Sequence, residues 1–272
     1  MRRFSWFNAT ALTLGFAFLY IPMIILVVYS FNASKLVTVW AGFSTQWYGE
    51  LIRNEEFLNA AWVTIKVAVM SSTIATILGT MAAYVLVRGG RFGGRTLFSG
   101  MIYAPLVMPE VITGLSLLLL FIGIGLDRGV LTIVLAHTTF SMCYVSVVVS
   151  SRLVTFDKSL EEAALDLGCS PFEAFRLVTL PIIAPAVISG WLLAFTLSLD
   201  DLVIASFTTG PSATTLPIKI FSAVRLGVSP EINALSTIMI AIVTIGVITA
   251  SLITKQAAVR QARDERMAER PA

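Results

Sequence analysis

Residues 159–181 read SLEEAALDLGCSPFEAFRLVTLP and separate two long apolar runs of the chain. Two segments of this stretch, beginning at Ser159 and at Ser170, have the Ser-x-x-Glu spacing of a capping box at the start of a helix. Gly168 lies between them and can take the left-handed conformation that ends a helix without steric strain. The pattern predicts two short helices joined at this glycine.

The polar interruption around this stretch covers residues 152–184. Pro171 falls at the first position of the second short helix, where proline is favoured. Pro181 and Pro185 should end that helix and lead into the next apolar run, because proline lacks the backbone N–H of a helical hydrogen bond. The sequence therefore predicts a structured protrusion at this point.

The whole chain is far more apolar than a soluble protein. Hydrophobic residues make up 57% of its 272 residues and charged residues 13%, with a mean hydropathy of +0.86. Soluble domains carry about 25% charged residues. Only lipid solvates this much apolar surface, so we expect a membrane protein with no nucleic-acid partner. The cysteines, Cys143 and Cys169, are not spaced as a disulfide framework or a metal site.

Six apolar runs are long enough to cross a hydrocarbon core of ~30 Å, which takes about 20 helical residues. They lie at residues 9–31, 61–87, 97–122, 130–151, 185–207 and 232–254. The first run is too long for a signal peptide and lacks a small-x-small cleavage site, so we interpret it as a retained helix. The sequence predicts an all-α polytopic protein with six transmembrane helices, and residues 1–272 as a single transmembrane domain.

Lysine and arginine residues indicate the orientation, since positive residues in short loops stay in the cytoplasm. With both termini cytoplasmic, the inner segments hold 13 of these residues, including Arg2, Arg3 and five in the C-terminal tail, and the outer segments hold 5. The remaining one, Lys66, lies within the second run and is interpreted as a lysine whose side chain reaches the interface. The asymmetry predicts cytoplasmic termini and a cytoplasmic loop at residues 152–184.

That loop resembles the EAA loop of the permease subunits of ABC importers. The family pattern is Glu-Ala-Ala, a short gap, Gly, nine residues and Ile-x-Leu-Pro. The chain has EAA at residues 162–164, Gly168, and VTLP at residues 178–181, at the same spacing. Only Val178 departs from the pattern, in place of isoleucine.

The resemblance implies the type I ABC importer permease fold, with this loop as a coupling helix seated on a separate ATP-binding subunit. The residues implied in coupling are Glu161, Glu162, Ala163, Ala164, Gly168, Leu180 and Pro181. The chain has no Gly-x4-Gly-Lys-[Ser/Thr] phosphate loop, so we expect it to hydrolyse nothing alone and to carry no cofactor. ATP and magnesium would bind the partner ATPase.

Other stretches extend the resemblance over nearly the whole chain, to the second permease subunit of polyamine importers. They are residues 31–35 (FNASK), 104–110 (APLVMPE), 198–201 (SLDD) and 217–233, while residues 36–40 (LVTVW) are closer to the putrescine branch than to the spermidine-preferring branch. The implied assembly contains a homologous second permease, two ATP-binding subunits and a periplasmic polyamine-binding protein in the bacterial inner membrane. The implied substrate is putrescine, with spermidine or another small solute as the alternative.

Three carboxylates fall within the predicted spans, where an ionisable side chain is costly and therefore a functional candidate. Glu110 is flanked by Pro105 and Pro109, which should bend or unwind the helix and open a cavity. Asp200 and Asp201 are about 100° apart on a helix, so one should face the path and the other pair or cap. We expect an acidic route for a cation. The alternative is a protonated Glu110 in a helix interface and two aspartates at the outer membrane surface.

Two further interpretations stay open at this stage. His137, beside hydroxyl side chains in the fourth run, is either a proton relay or, preferably, a histidine hydrogen-bonded between helices. A secondary transporter would need an internally repeated bundle with helices broken at corresponding positions, and the sequence has no such repeat. Co-purification with an ATPase would separate the importer from that class.

Overall fold

The computed structural model describes residues 6–36, 39–227, 229–245 and 248. Within these residues the chain is helical, and the only β pairing there is an isolated bridge between Asn32 and Phe43. The all-α class predicted from the sequence is confirmed. Several residues used in the sequence analysis lie outside the described ranges, namely Arg2, Arg3, Val37, Thr38 and the tail cations Lys255, Arg260, Arg263, Arg266 and Arg270.

The helices follow one another along the chain with short connections. They are α1 (Trp6–Tyr29), α2 (Gln46–Arg53), α3 (Glu55–Arg88), α4 (Arg95–Val107), α5 (Glu110–Gly123), α6 (Val130–Thr155), α7 (Ser159–Asp166), α8 (Pro171–Ala174), α9 (Leu180–Asp200), α10 (Val203–Thr208), α11 (Leu216–Leu226) and α12 (Pro230–Ile245), with a π-helical turn at Phe175–Thr179 between α8 and α9.

The chain divides into two compact units, residues 1–55 with 223–272 and residues 56–222. In the first unit, the loop after α1 is held by Trp47, which is buried and whose indole N–H donates to the carbonyl of Asn32 at 2.6 Å. The hydroxyls of Ser30 and Tyr48 share a hydrogen bond of 2.6 Å. Helix α1 itself buries none of its side chains within the chain, so its apolar surface is left for lipid or another subunit.

In the second unit, α3, α6 and α9 form the core, and small residues let the helices approach closely. A Cβ on Gly79 of α3 would lie 2.7 Å from the Met142 carbonyl oxygen and 2.8 Å from Cβ of Val145 on α6. Val145 and Ile183 are completely buried in the same cluster. Close packing at small residues is the usual way in which helices associate in lipid, where no hydrophobic effect drives them together.

Four helical segments are long and apolar enough to cross a membrane within the described ranges, namely α1, α3, α6 and residues 171–200. The third predicted span, residues 97–122, is broken by a bend of 117° between α4 and α5, in agreement with the prediction that Pro105 and Pro109 would bend or unwind the helix. Proline disfavours helical geometry in the residue before it, and Met108, which precedes Pro109, is extended (φ −80°, ψ 136°). The break thus falls at Pro109, whereas Pro105 lies inside α4.

The predicted fifth span, residues 185–207, also has different bounds. Pro181 and Pro185 do not end a helix, because residues 171–200 continue through the π-helical turn, where the Leu180 N–H bonds to the Phe175 carbonyl. Pro181 lies in the first turn of α9, where its missing N–H is tolerated. The helix instead ends at Asp200. Of the predicted sixth span, α12 covers residues 230–245, and most of the remainder lies outside the described residues.

Candidate functional site

The loop at residues 152–184 begins with a cap that differs from the predicted one. Ser159 is the first residue of α7 rather than its cap, and the carboxylate of Asp157 accepts the Ser159 N–H at 3.0 Å. That N–H and the Ser159 hydroxyl hold the pKa of Asp157 below its usual value. The capping box predicted at Ser159 and Glu162 is therefore wrong, because a carboxylate two residues upstream supplies the acceptor.

The turn between the two short helices forms as predicted. Gly168 has a φ of +94°, and its N–H bonds to the Leu165 carbonyl while the Cys169 N–H bonds to the Ala164 carbonyl. This pair of bonds is the Schellman motif that ends helices at a left-handed glycine. The angle between α7 and α8 is thus fixed by backbone geometry that glycine adopts without strain.

The second capping box is confirmed. The Ser170 N–H donates to the Glu173 carboxylate at 2.8 Å, and the Glu173 N–H donates to the Ser170 hydroxyl at 3.3 Å. Pro171 occupies the first helical position, as predicted. The end of α7 and the start of α8 are therefore both closed by local hydrogen bonds, so the loop has a defined shape of its own.

The two adjacent glutamates of α7 point in different directions. Glu161 is buried, with a side chain 9% exposed, and its carboxylate lies 2.9 Å from Nε of Arg88 and accepts the Thr179 hydroxyl at 2.7 Å. Glu162 is 60% exposed and pairs only along the helix surface with Lys158, four residues before it. Lys158 and Glu162 are four residues apart and therefore lie on the same exposed face of α7. Adjacent residues are about 100° apart around a helix, so Glu161 points inward.

Apolar side chains cover the outer surface of the loop. Leu167 is 86% and Phe172 is 70% exposed, and Leu160 and Leu165 are also exposed. Of the other residues implied in coupling, Ala163, Gly168 and Pro181 are exposed, Ala164 is buried, and Leu180 packs against the core of the second unit. A protrusion that combines an apolar tip with a surface carboxylate is a surface suited to a protein partner.

At the break between α4 and α5, Glu110 occupies the first turn of α5 with an exposed side chain. Glu110 thus comes directly after the break at Pro109, one of the two prolines that were predicted to bend or unwind the helix. The free N–H groups at the start of α5 favour a negative charge at this position.

At the end of α9, Asp201 is built into a hydrogen-bond network. Its carboxylate accepts the N–H groups of Ile204 at 3.3 Å and Ala205 at 2.7 Å, and so caps α10. It also lies 3.1 Å from Nε2 of His137 on α6. Asp200, the preceding residue, is exposed.

His137 continues the network into the core. Its Nδ1 is 2.7 Å from the Ser198 hydroxyl, which in turn accepts the Ser71 hydroxyl at 3.1 Å. If the imidazole of His137 is neutral with its proton on Nε2, it donates to Asp201 and its Nδ1 accepts the Ser198 hydroxyl. Ser198 then accepts the Ser71 hydroxyl. The expected hydrogen bond of His137 between helices is therefore present. As the single histidine of an apolar run, His137 could have been linked to the aspartates from the sequence.

The helix that Asp201 caps packs tightly against the helix that begins at Glu110. A Cβ on Gly114 of α5 would lie 2.6 Å from the ring of Phe207 on α10. Asp201 therefore positions the element on which α5 rests. The ion pairs of the described residues do not include Glu110 or Asp200, whose carboxylates stay exposed. The same residues contain no cluster of three or more side chains that could hold a metal ion.

Comparisons with known proteins agree with this architecture. The chain is 58% identical to the putrescine transport system permease protein PotI of Escherichia coli (strain K12), over 95% of this chain and 94% of that protein. It is 46% identical to the spermidine/putrescine transport system permease protein PotC of the same organism, over 85% of this chain and 87% of that protein.

A solved structure shares the fold. It is a bacterial ABC transporter involved in the import of the acidic polysaccharide alginate, with a TM-score of 0.71 and 18% identity over 93% of this chain and 96% of that chain. The sequence profile of one family, described as binding-protein-dependent transport system inner membrane component, matches residues 75–263. The chain therefore belongs to the family of binding-protein-dependent transport system inner membrane components.

Proposed function

We propose that this chain is a permease subunit of an ABC importer that moves putrescine from the periplasm to the cytoplasm. The observation that carries the proposal is the 58% identity to a putrescine permease over 95% of this chain. The lower identity of 46% to a spermidine/putrescine permease makes spermidine the second candidate.

The active assembly would contain a homologous second permease, two ATP-binding subunits and a periplasmic polyamine-binding protein. Homologous permeases related by a pseudo-twofold axis can enclose a path that one set of helices does not. ATP and magnesium would bind the ATPase subunits, and this chain would supply part of the path and one coupling loop.

The coupling loop would dock on the ATPase through the outer surface of α7 and α8. The exposed carboxylate of Glu162 and the apolar side chains of Leu167 and Phe172 support this assignment. The closed turn at Gly168 and the capping box at Ser170 would keep the loop rigid enough to transmit a displacement. Ala163 and Gly168 carry little or no side chain, which allows a partner surface to approach the backbone.

The acidic route would use Glu110 and Asp200, which have exposed carboxylates, with Asp201 holding the neighbouring backbone. Putrescine carries two ammonium groups near neutral pH, each with a pKa of about 10 as in lysine. An unpaired ammonium in a low-dielectric path costs several kcal/mol, and a carboxylate offsets part of this cost.

The substrate is tested by uptake into proteoliposomes that contain the full transporter and its binding protein. We expect labelled putrescine to accumulate only with internal ATP, and unlabelled putrescine to compete better than spermidine. Stronger competition by spermidine would move the assignment to the second candidate. Accumulation by the purified chain without an ATPase would contradict the importer proposal.

The proposed orientation, with cytoplasmic termini, can be tested with the native cysteines. Cys169 is partly exposed in the coupling loop, whereas Cys143 is buried. In right-side-out vesicles, an impermeant thiol reagent should leave Cys169 unlabelled and should label a cysteine introduced at the exposed Ser212 of a Cys169→Ala variant. The reverse pattern would overturn the orientation.

A further inference from the structure

The geometry points to the buried Arg88–Glu161 pair as the internal clamp that fastens the coupling helix α7 to the membrane-spanning helices and carries its displacement into them. This inference rests on the proposed function, since it assumes that α7 receives motion from an ATPase. It gives the two neighbouring glutamates separate roles. Glu162 faces the partner, and Glu161 is a positioning residue that faces the chain's own core.

Three long helices meet at this pair. Arg88 is the last residue of α3, and its guanidinium donates to the carbonyl of Phe156 at 3.2 Å, directly after α6. The same guanidinium lies over the Phe156 ring, 5.4 Å from its centroid. Thr179, the second partner of Glu161, ends the π-helical turn that leads into α9. One carboxylate on α7 thus contacts groups at the ends of α3 and α9, and its arginine partner contacts the end of α6.

A second contact holds the same junction together. The rings of Tyr84 on α3 and Phe175 in the π-helical turn pack edge to face, with centroids 4.9 Å apart. The π-helical turn therefore rests on α3 one turn before Arg88. Movement of α7 relative to the core would have to separate Glu161 from both of its partners.

Burial makes that separation costly. The side chains of Arg88 and Glu161 are 10% and 9% exposed. An arginine keeps its charge at any physiological pH, so pulling the carboxylate away leaves a buried cation without a counter-charge. The three helix ends and α7 should consequently move as one body. The exposed pair between Lys158 and Glu162 cannot hold helices together in this way, because water screens its charges.

The test compares Glu161→Gln with Glu162→Lys in the reconstituted transporter with its binding protein. For Glu161→Gln we expect the ATPase subunits to co-purify and hydrolysis to be stimulated, while putrescine transported per ATP falls at least about tenfold. For Glu162→Lys we expect loss of ATPase association instead. Asp127→Asn removes a charge from an exposed position between α5 and α6, outside the coupling loop, and should keep the normal ratio of transport to hydrolysis.

A double variant distinguishes the clamp from a general loss of stability. If Arg88 and Glu161 act through each other, Arg88→Gln with Glu161→Gln should transport no less per ATP than either single variant, and should be more thermally stable because no unpaired charge stays buried. If transport per ATP in the double variant fell by the product of the two single-variant factors, the inference would be overturned. A normal ratio of transport to hydrolysis in Glu161→Gln would also overturn it, and so would loss of ATPase association in that variant.

The wild-type complex separates this inference from the proposed function. If the wild type takes up putrescine with ATP and Glu161→Gln matches it, only the clamp is wrong. If the wild-type complex takes up no putrescine, the proposed function is wrong.

Discussion

The proposed coupling loop and the C-terminal end of α9 each contain two adjacent carboxylates with opposite environments. In the loop, Glu161 is buried against Arg88 and Glu162 is exposed. At the end of α9, Asp201 is held by His137 and two backbone N–H groups, and Asp200 is exposed. In both places one acid fixes local structure, which leaves its neighbour available to a partner or substrate.

The two buried carboxylates are stabilised by different groups. Glu161 accepts one hydroxyl and lies beside a permanent cation, so its stability in the fold depends on a charge pair. Asp201 receives backbone hydrogen bonds, and a neutral His137 can complete its set. The proposed coupling loop thus depends strongly on one arginine, whereas at the C-terminal end of α9 several weaker donors share the same task.

Removal of the partner of each buried acid should therefore have unequal effects. Arg88→Met leaves a buried carboxylate without its cation and should destabilise the complex by about 3–5 kcal/mol. His137→Met removes one hydrogen bond from a carboxylate that keeps two others, which costs about 1–3 kcal/mol. Thermal unfolding of the purified complex measures both variants. Equal losses of stability in the two variants would contradict this difference between Glu161 and Asp201.

The turn that holds the loop provides the next prediction. Gly168→Val places a β-branched residue at a φ of +94° and should cost about 1–2 kcal/mol, with reduced transport per ATP because α8 is redirected relative to α7. Gly90→Val is the matched control, since Gly90 has a φ of +62° in the loop between α3 and α4. It should show similar strain with normal coupling. If Gly168→Val transported as well as the control, the turn would not matter for coupling.

The exposed acid at the helix break should affect transport without affecting stability. At ~4 Å and an effective dielectric of about 20, one charge pair contributes roughly 4 kcal/mol before desolvation. Even a third of that corresponds to about tenfold in rate, so Glu110→Gln should lower putrescine uptake by about that factor. Asp127→Asn, at another exposed acid, is the control and should have no effect. Equal uptake in both variants would remove Glu110 from the route.

Local signals in the sequence predicted local structure well. Gly168 and the Ser170 to Glu173 box involve residues within one turn of each other, and both formed as predicted. The box at Ser159 failed because Asp157 competes for the same N–H. Pro105 and Pro109 predicted that the third apolar run would bend or unwind, and the break formed at Pro109 while Pro105 lies inside α4.

The sequence did not predict which residues from distant parts of the chain meet. Arg88 and Glu161 belong to separate helices, and nothing in their own segments indicates that they meet. For His137 and Asp201, a lone histidine in an apolar run was a signal in the sequence, but the partner it meets is given only by the tertiary structure. The sequence did suggest that one of the two aspartates would cap or pair, because adjacent helical residues face different directions. Only the tertiary structure identifies Asp201 as that residue.

We propose that each acid pair contains one carboxylate that holds the fold and one that acts on a partner or the substrate. The most direct measurement is thermal stability together with putrescine uptake for four variants of the reconstituted transporter, Glu161→Gln, Glu162→Gln, Asp200→Asn and Asp201→Asn. We predict that Glu161→Gln and Asp201→Asn lower the melting temperature, with the larger shift for Glu161→Gln. Glu162→Gln and Asp200→Asn should lower uptake at an unchanged melting temperature. A lower melting temperature in the two exposed-acid variants, with none in the buried-acid variants, would contradict the account.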